Sequence, residues 1–341
     1  MTIIKLIFIT TAFLSSVIAR EPILNRFKSW ASDFNVDIQD ETKLVNIFEN
    51  WIDNDRFIDE HNSKNLSYVL GHNQFSGMSQ LEFSKYLINI NNHASSIESF
   101  DFEYIESTLP TSVNWIDNGA VSPVKDQGQC GSCWSFSTTG ALEGAYYIKT
   151  NKLQLFSEQQ LVDCDTLRNG GKDMGCNGGL MDNAFKWIEK NGGLCGELDY
   201  PYISGDTTKS GTCNKECKPV DGSQVKGIVD VHPSDDNAMM NAIYKQPVSV
   251  AIEADQREFQ LYKSGVFTGA CGTNLDHGVL VVGYGIEMNN EYYLVKNSWG
   301  EYWGKDGYIM LGKGKDPNTN KPYNNGSGQC GILLQASYPV L

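Results

Sequence analysis

The stretch Gln127-Gly128-Gln129-Cys130-Gly131-Ser132-Cys133-Trp134 limits the possible folds and reactions of this chain more than any other part of the sequence. Its two cysteines lie three positions apart, and the residues that follow have the pattern of a helix. Three interpretations are open: a nucleophilic Cys133, a redox pair of Cys130 and Cys133, or half of a zinc site completed by Cys213 and Cys217. The first is favoured, because the dipole at the start of a helix stabilises a thiolate.

A nucleophilic thiol needs a base, and only two histidines follow residue 108. His232 lies in a polar, turn-like stretch, whereas His277 stands at the edge of a buried-looking strand. A strand holds a catalytic base more rigidly than a turn does. Asn297 follows the next predicted strand, so a hairpin would bring it beside His277. The residues therefore predict that Cys133, His277 and Asn297 act together.

The composition excludes several classes of protein. The 341 residues are 40% hydrophobic and 20% charged, which suffices for a large core and argues against general disorder. The net charge of −14 at pH 7 argues against a nucleic-acid partner, because phosphate contacts need clusters of Lys and Arg. The one long apolar run lies at the N-terminus, so we expect no membrane span in the mature protein.

Residues 1–19 have the pattern of a secretory signal peptide. Lys5 supplies the positive charge, a short apolar stretch follows, and small residues precede a cut before Arg20. The pattern predicts entry into the secretory pathway, with the lysosome, the vacuole or the cell exterior as the destination. Disulfides persist in a secreted chain, and Asn65 and Asn325 begin motifs for N-glycosylation.

The cysteines divide the chain into two parts. All nine lie between 130 and 330, which leaves a thiol-free leader before residue 109. In this leader, 24–62 has apolar residues at helical spacing, whereas 88–108 lacks periodicity and predicts an exposed linker. Helical patterns and then strand patterns follow, which predicts an α+β protein. The predicted helices are 134–149, 156–163 and 180–190, and the predicted strands are 225–231, 248–252, 279–282, 292–296 and 308–311.

Together these pieces resemble the papain-like cysteine peptidases of the cathepsin L-like branch. The matching motifs are Cys-Gly-Ser-Cys-Trp at 130–134, Gly-Cys-Asn-Gly-Gly-Leu-Met at 175–181, Asn-Ser-Trp-Gly at 297–300 and Trp-Gly-x-x-Gly-Tyr at 303–308. The resemblance implies two lobes, a helical left lobe and a right lobe built on an antiparallel β-barrel, preceded by a helical propeptide domain. It divides the chain into a signal peptide at 1–19, an inhibitory propeptide at 20–108 and a mature peptidase domain at 109–341. Within the propeptide, the helical core is expected at about 24–85 and the linker at 88–108.

The resemblance also implies a role for each matching residue. Cys133 is the expected nucleophile, His277 its acid–base partner and Asn297 the residue that orients His277. Gln127 is expected to form an oxyanion hole with the backbone N–H of Cys133. Gln335 is placed at the floor of the pocket for the second residue before the scissile bond, where an uncharged amide favours apolar over basic side chains. The implied substrate-binding residues are Gly178, Gly179, Leu180, Met181, Ala251, Asp276, Gly278, Trp299 and Gln335.

Nine cysteines leave one free thiol if the other eight pair. The resemblance makes Cys133 the free one. Cys195 and Cys217 depart from the common family pattern and are expected to pair with each other. The expected disulfides are Cys130–Cys176, Cys164–Cys213, Cys271–Cys330 and Cys195–Cys217.

The leader resembles the family's inhibitory propeptide incompletely. The pattern Trp-x-x-Asn-x-x-x-Ile-x-x-x-Asn at 51–62 matches the later half of the family's helical motif. Lys43, Ile47 and Gly77 stand where the family has charged Glu, Arg and Asp. These departures bear on the pH trigger of propeptide release, not on the presence of a propeptide.

The whole sequence predicts a cysteine endopeptidase made as a zymogen, a thiol protease that cuts peptide bonds through a Cys133 thiolate and an acyl-enzyme. No metal or other cofactor is expected. The expected partners are protein and peptide substrates, the chain's own propeptide and cystatin-type inhibitors, and the expected state is a monomer. Two rivals stay open: a thiol–disulfide oxidoreductase that uses Cys130 and Cys133, and a catalytically silent relative. The insertion at 313–329 has no assigned role.

Overall fold

The computed structural model describes residues 22–88, 99–105, 107–317 and 319–341. The predicted signal peptide at 1–19 lies outside the described residues, and so do residues 89–98 of the linker.

The leader folds into helices and one short strand. Its elements are α1 (22–33), α2 (Glu41–Asn62), β1 (Tyr68–Leu70), α3 (Gln80–Phe83) and a following 3-10 turn (Ser84–Tyr86). The apolar residues predicted at helical spacing, among them Phe27, Trp30 and Trp51, meet in a small core between α1 and α2. The Asp40 carboxylate accepts a hydrogen bond from the Thr42 N–H and so starts α2.

Four helices build the left lobe: α4 (Cys133–Thr150), α5 (Glu158–Cys164), α6 (Met181–Asn191) and α7 (Ser204–Thr207), with a 3-10 turn at Leu167–Asn169. α4 is the central helix, and its residues from Cys133 to Ala145 are all buried. α4 packs against α5 and α6 and also against strands of the right lobe. α4 ends at Asn151, which takes the left-handed conformation that commonly closes a helix.

The right lobe is dominated by strands. They are β2 (Val113–Asn114), β3 (Gly227–Asp230), β4 (Val248–Ile252), β5 (Tyr262–Phe267), β6 (His277–Glu287), β7 (Asn290–Lys296), β8 (Tyr308–Gly312) and β9 (Ala336–Val340). Two helices, α8 (Asp236–Lys245) and α9 (Arg257–Gln260), and two 3-10 turns, Tyr323–Gly326 and Gln329–Gly331, complete the lobe.

The strands form one sheet in the order β1-β5-β8-β7-β6-β4-β9-β3, with β2 beside β6. The sheet departs from the expected purely antiparallel arrangement at one pair, because β5 and β8 run parallel. β6 is buried on both faces. Val279 and Val281 face the core of the right lobe, whereas Leu280 and Val282 face α4 and the left lobe. The continuous apolar run of this strand therefore follows from its place between the two lobes.

Four disulfides hold the part of the chain after residue 109. They join Cys130 to Cys176, Cys164 to Cys213 and Cys271 to Cys330, as the resemblance implies, and Cys195 to Cys217, the pair expected from the two remaining cysteines. Cys133 is the one cysteine that is not bonded. Disulfides of this kind stabilise the fold mainly because they restrict the unfolded chain.

Residues 99–105 are partly exposed, as the sequence predicts, but they are not a free linker. Phe100 pairs with Val229 in β3, and Phe102 packs against the core of the right lobe. The prediction that this stretch lacks periodicity is wrong here. Phe100, Phe102 and Tyr104 alternate with acidic residues, which is the period of two that puts side chains on one face of an extended segment.

Candidate active site

Cys133 is the first residue of α4 and lies where this helix packs against β6. Its Sγ accepts a hydrogen bond from the Gly278 N–H at 3.3 Å. Because Gly278 directly follows His277, this contact brings the thiol and the imidazole to neighbouring positions across the two lobes. Cys130 is bonded to Cys176, so Cys130 and Cys133 do not form a redox pair in this state.

His277 is the first residue of β6, and Asn297 directly follows β7. The two strands form an antiparallel hairpin, as the sequence predicts, and Asn297 Oδ1 lies 2.7 Å from His277 Nε2. Oδ1 also accepts the Ser298 N–H, which identifies it as the oxygen and makes Nε2 the donor. The indole of Trp299 stacks on the imidazole, with 4.5 Å between ring centroids. His277 Nδ1 is buried and has no hydrogen-bond partner among the described residues, which leaves it available for a thiol proton.

Gln127 is fully buried, and both ends of its side-chain amide are engaged. Its Oε1 accepts a hydrogen bond from the Ser298 hydroxyl at 2.8 Å, and its backbone N–H donates to the Ser298 carbonyl. Its Nε2 donates to the Cys130 carbonyl at 3.0 Å and to the Tyr86 carbonyl of the leader at 3.1 Å. The amide donor therefore already holds a peptide carbonyl, which is the interaction that an oxyanion hole provides.

The leader runs through the cleft after Tyr86. The Ile88 N–H donates to the Asp276 carbonyl at 2.8 Å, and the Ile88 side chain packs against Gly178. Upstream, Gln74 Nε2 donates to the Trp299 carbonyl at 2.5 Å. Three residues that the resemblance assigns to substrate binding thus contact the leader instead. Neither Tyr86 nor Ile88 has a sequence signal of its own, because their importance comes from where α3 and the following turn deliver the chain.

Burial suppresses charge on both reacting groups. It raises the pKa of the Cys133 thiol to about 12, even though the Gly278 N–H stabilises the thiolate. It lowers the pKa of His277 to about 4, against the opposite effect of the hydrogen bond to Asn297. A thiolate–imidazolium pair is therefore disfavoured in this state of the protein.

A cavity of about 290 Å³ adjoins the cleft. Leu180, Met181 and Gln335 line it, as the resemblance implies for the pocket of the second substrate residue. The cavity is also lined by Asp182 and Asp230, two acidic residues that the expectation of an uncharged pocket did not include. The sequence could not reveal Asp230, which reaches the cavity only because β3 pairs with β9 next to Gln335.

The other residues assigned to this pocket lie close by. Ala251 and Gly278 face each other across β4 and β6, but neither lines the cavity itself. A side chain at Gly278 would begin 3.1 Å from the sulfur of Met181. A side chain at Gly179 would begin 2.6 Å from the ring of Trp134, so only glycine fits there.

A buried set of charges lies behind the site. Lys125 Nζ contacts the carboxylates of Glu158 at 2.8 Å and Glu197 at 2.6 Å. Lys296 donates to the Ser122 hydroxyl at 2.9 Å, and burial lowers its pKa to about 8. Lys125 stands two residues before Gln127, and Lys296 directly precedes Asn297. The contacts of these two lysines therefore anchor the segments that carry Gln127 and Asn297 to the left lobe.

No cluster of three or more His, Cys, Asp or Glu side chains suited to a metal ion occurs within the described ranges. The cysteines of the alternative zinc interpretation, Cys213 and Cys217, are in disulfides with Cys164 and Cys195. In the same ranges no helix has the length and apolar character needed to cross a membrane.

Comparison with known proteins gives matches over both parts of the chain. The papain family cysteine protease model matches 109–340, and the cathepsin propeptide inhibitor domain (I29) model matches 27–83. Cysteine protease XCP2 of Arabidopsis thaliana is 43% identical over 328 residues, which are 94% of this chain and 87% of that protein. Probable cysteine protease RD21B of the same plant is 47% identical over 295 residues, 86% of this chain, and this chain spans 60% of the length of that protein. A recombinant stem bromelain precursor superposes with a TM-score of 0.82 at 36% identity, covering 94% of this chain and 99% of that one.

A buried thiol beside an oriented imidazole, with a leader lying across the cleft, defines a thiol peptidase in its latent form. The chain belongs to the papain family of cysteine proteases and carries the cathepsin propeptide inhibitor domain ahead of its peptidase domain. The family resemblance, the α+β two-lobed fold and the interpretation as a zymogen are thereby confirmed.

Proposed function

We propose that this chain is the precursor of an endopeptidase in which Cys133 is the nucleophile, His277 the acid and base, and Asn297 the residue that orients His277. The observation that carries the proposal is the hydrogen bond from the Gly278 N–H to Cys133 Sγ. It joins the start of α4 to the start of β6, where the free Nδ1 of His277 lies. A thiol and a base brought together by two rigid elements are the minimum for nucleophilic catalysis.

The proposed reaction has two stages. The Cys133 thiolate attacks the peptide carbonyl, and the oxyanion is held by Gln127 Nε2 and the Cys133 N–H. His277 then gives its proton to the leaving amine, which breaks the C–N bond and leaves a thioester. In the second stage His277 removes a proton from water, the hydroxide attacks the thioester, and the thiol leaves with that proton. No cofactor takes part in either stage.

The propeptide is the proposed inhibitor. The hydrogen bond from Gln127 Nε2 to the Tyr86 carbonyl and the hydrogen bond from Ile88 N–H to Asp276 support this, because both use groups that substrate needs. The proposed boundaries are 20–108 for the propeptide and 109–341 for the mature domain, so removal of the leader would uncover the cleft. Burial no longer opposes the ion pair once water reaches Cys133 and His277.

For substrates we propose an apolar preference at the second residue before the cut. Leu180 and Met181 give the cavity an apolar wall, and its volume of about 290 Å³ fits a Leu, Phe or Val side chain. The proposed partners are protein and peptide substrates and cystatin-type inhibitors, and the proposed state is a monomer. We place the protein in the secretory pathway, in a lysosome or vacuole or outside the cell.

The test is covalent trapping of the activated chain with a peptidyl epoxide or vinyl sulfone. We expect stoichiometric modification at Cys133, found by peptide mass mapping, and loss of peptide hydrolysis in parallel. His277→Ala should lower kcat/KM by at least about 10³-fold, because the base is lost. His232→Ala is the matched control and, assayed after the leader has been removed, should leave kcat/KM nearly unchanged. An activated protein that the trap does not modify would overturn the proposal.

A further inference from the structure

Residues 99–105 lie on the right lobe, on a surface formed by β3, the turn after it and α8. β3 is the last strand of the sheet in the part of the chain that the structure describes, so one of its edges has no other named strand beside it. The Phe100 N–H donates to the Ile228 carbonyl at 2.7 Å on that edge, and Phe100 and Val229 form a parallel bridge. The Phe100 ring covers Gly227, where a side chain would collide with it. The segment therefore begins as a short extra strand.

Two aromatic side chains follow on the same face. The Phe102 ring packs against the right-lobe core, lies 5.2 Å from the imidazole of His232 and has Lys245 Nζ above it at 5.5 Å. The Tyr104 hydroxyl donates to the Asp235 carboxylate at 2.7 Å and lies 3.1 Å from His232 Nδ1. The aromatic residues at alternate positions thus each contact a different part of the right-lobe surface.

The backbone of the segment is held as well. Lys245 Nζ donates to the Glu103 carbonyl at 2.7 Å, and the Ile105 N–H donates to Asn241 Oδ1 at 2.8 Å. In contrast, the Asp101 side chain is exposed, and the alternation of an extended segment puts it on the opposite face from Phe100 and Phe102. These contacts involve none of the residues assigned to catalysis. A linker only has to span the distance between two domains, and it does not need these specific side-chain and backbone contacts.

We propose that this surface is a second recognition site, separate from the catalytic cleft, for an extended peptide with aromatic side chains at alternate positions. Its occupant is residues 99–105 of this chain, which stay bound after the linker is cut before residue 109. The cut propeptide is then held at β3 through Phe100 to Ile105, in addition to its contacts at the cleft through Tyr86 and Ile88 and at β5 through its short strand β1. Two linked contacts dissociate more slowly than either does alone, because the second is held at high local concentration. Release of the cut propeptide, and not the cut itself, therefore limits the appearance of activity.

The experiment follows the full chain during activation and rests on the proposed peptidase function. Cleavage is followed by gel and mass spectrometry, and retention of the cut propeptide by size-exclusion chromatography. Activity is followed with a fluorogenic dipeptide substrate. In the natural sequence we expect activity to lag behind cleavage. Phe102→Ala should speed propeptide release about tenfold, the size of effect typical for loss of an aromatic anchor. Asp101→Ala is the matched control on the opposite face and should keep the lag.

The mature side is tested in the same way. Lys245→Met removes the charge above Phe102 and the bond to the Glu103 carbonyl, and it should also shorten the lag. Lys215→Met makes the same change of charge at an exposed position and should not. Equal release rates for Phe102→Ala and the natural sequence, or a first cut before residue 99, would overturn the second site alone. If no variant is ever processed or trapped at Cys133, the peptidase function fails, and this proposal fails with it.

Discussion

Burial of Cys133 in the precursor disfavours its thiolate form. Burial raises its pKa to about 12, so at pH 7 the group is a neutral thiol, and thiols alkylate far more slowly than thiolates. We expect iodoacetamide to modify Cys133 at least about 100-fold more slowly in the intact precursor than in the processed enzyme. The measurement is timed mass spectrometry of the Cys133 peptide at pH 7, where both forms are compared in the same buffer.

The control for that comparison is the precursor unfolded in urea without reductant. All eight other cysteines are in disulfides, so one thiol should react, and at the rate of an ordinary free cysteine. If the folded precursor and the processed enzyme react equally fast, the leader does not control ionisation of the thiol.

Asp230 and Gln335 give a second prediction, on specificity. Both line the cavity beside Leu180, and burial raises the pKa of Asp230 above its usual range. In the precursor the hydroxyl of Ser99 bonds to Asp230, and this partner leaves with the linker. We expect Asp230→Asn to lower the ratio of kcat/KM for Arg over Leu substrates several-fold, because a counter-charge for the arginine is lost.

Gln335→Glu should change the same ratio in the opposite direction. The two variants make opposite changes of charge in one cavity, so each controls for general damage to the enzyme. The measurement is kcat/KM for matched peptides that differ only at the second residue before the cut. A ratio that neither variant alters would remove both side chains from substrate recognition.

The positions of Cys133, His277 and Asn297 could be read from the sequence because local signals identify each of them. A cysteine opens a helix, a histidine opens an apolar strand, and an asparagine follows the next strand. Asp230 has no such signal, because it becomes a cavity residue only through the pairing of β3 with β9. Contacts that form because strands far apart in the sequence pair with each other are the part of the site that a single sequence does not predict.

β1 of the leader extends the sheet of the peptidase domain by pairing with β5. Gly265 in β5 has a positive φ of 87°, and a side chain there would begin 2.8 Å from the Tyr68 Cα in β1. Gly265→Ala should therefore weaken binding of the leader and speed activation of the precursor by about five- to tenfold, since two backbones can no longer approach closely. The measurement is the rate at which peptide hydrolysis appears.

Gly314→Ala is the control for backbone strain. Gly314 also has a positive φ, of 74°, but its nearest neighbour for a new side chain is a Glu291 oxygen at 3.4 Å. This variant carries the same strain without touching the leader, so its activation rate should stay normal. Equal acceleration by both variants would show that strain, not the contact between β1 and β5, is responsible.

Elements with a clear pattern of their own were predictable, and elements defined by their neighbours were not. The sequence predicts β4 at the observed residues and α4 within one residue at each end. It does not predict β5, whose Lys263, Ser264 and Gly265 interrupt the apolar pattern, because this strand is stabilised by β1 and β8 on its two sides. The alternation at 99–105 has a period of two and so gives no helical spacing, which is why the segment reads as a linker by that criterion.

The stability of the whole precursor depends on pH, because some buried groups have a different pKa in the folded chain than in the unfolded chain. Burial lowers the pKa of His277 to about 4, so this group favours folding above its unfolded pKa near 6.5, and the contribution is lost as pH falls toward 4. Asp165 acts in the opposite sense. Burial and the charge of Asp173 raise its pKa well above the ordinary value of 3.8, so the folded chain keeps a proton that the unfolded chain releases. Its contribution is complete below about pH 4 and is lost as pH rises.

Asp165→Asn isolates that second contribution. An asparagine has the shape of the protonated carboxyl and can donate to Asp173 as the proton does, so the fold should be retained. The natural sequence loses the contribution of protonated Asp165 as pH rises from 4 to 8, whereas the variant has no proton to lose. The free energy of unfolding of the variant, relative to that of the natural sequence, should therefore increase over this range. The gain is at most about 1.4 kcal/mol for each pH unit, the value for one proton held only by the folded state. Urea unfolding at pH 4.5, 6 and 7.5, in a Cys133→Ala background that prevents self-digestion, measures it. A difference between the two proteins that stays constant with pH would mean that Asp165 is ionised in the folded chain.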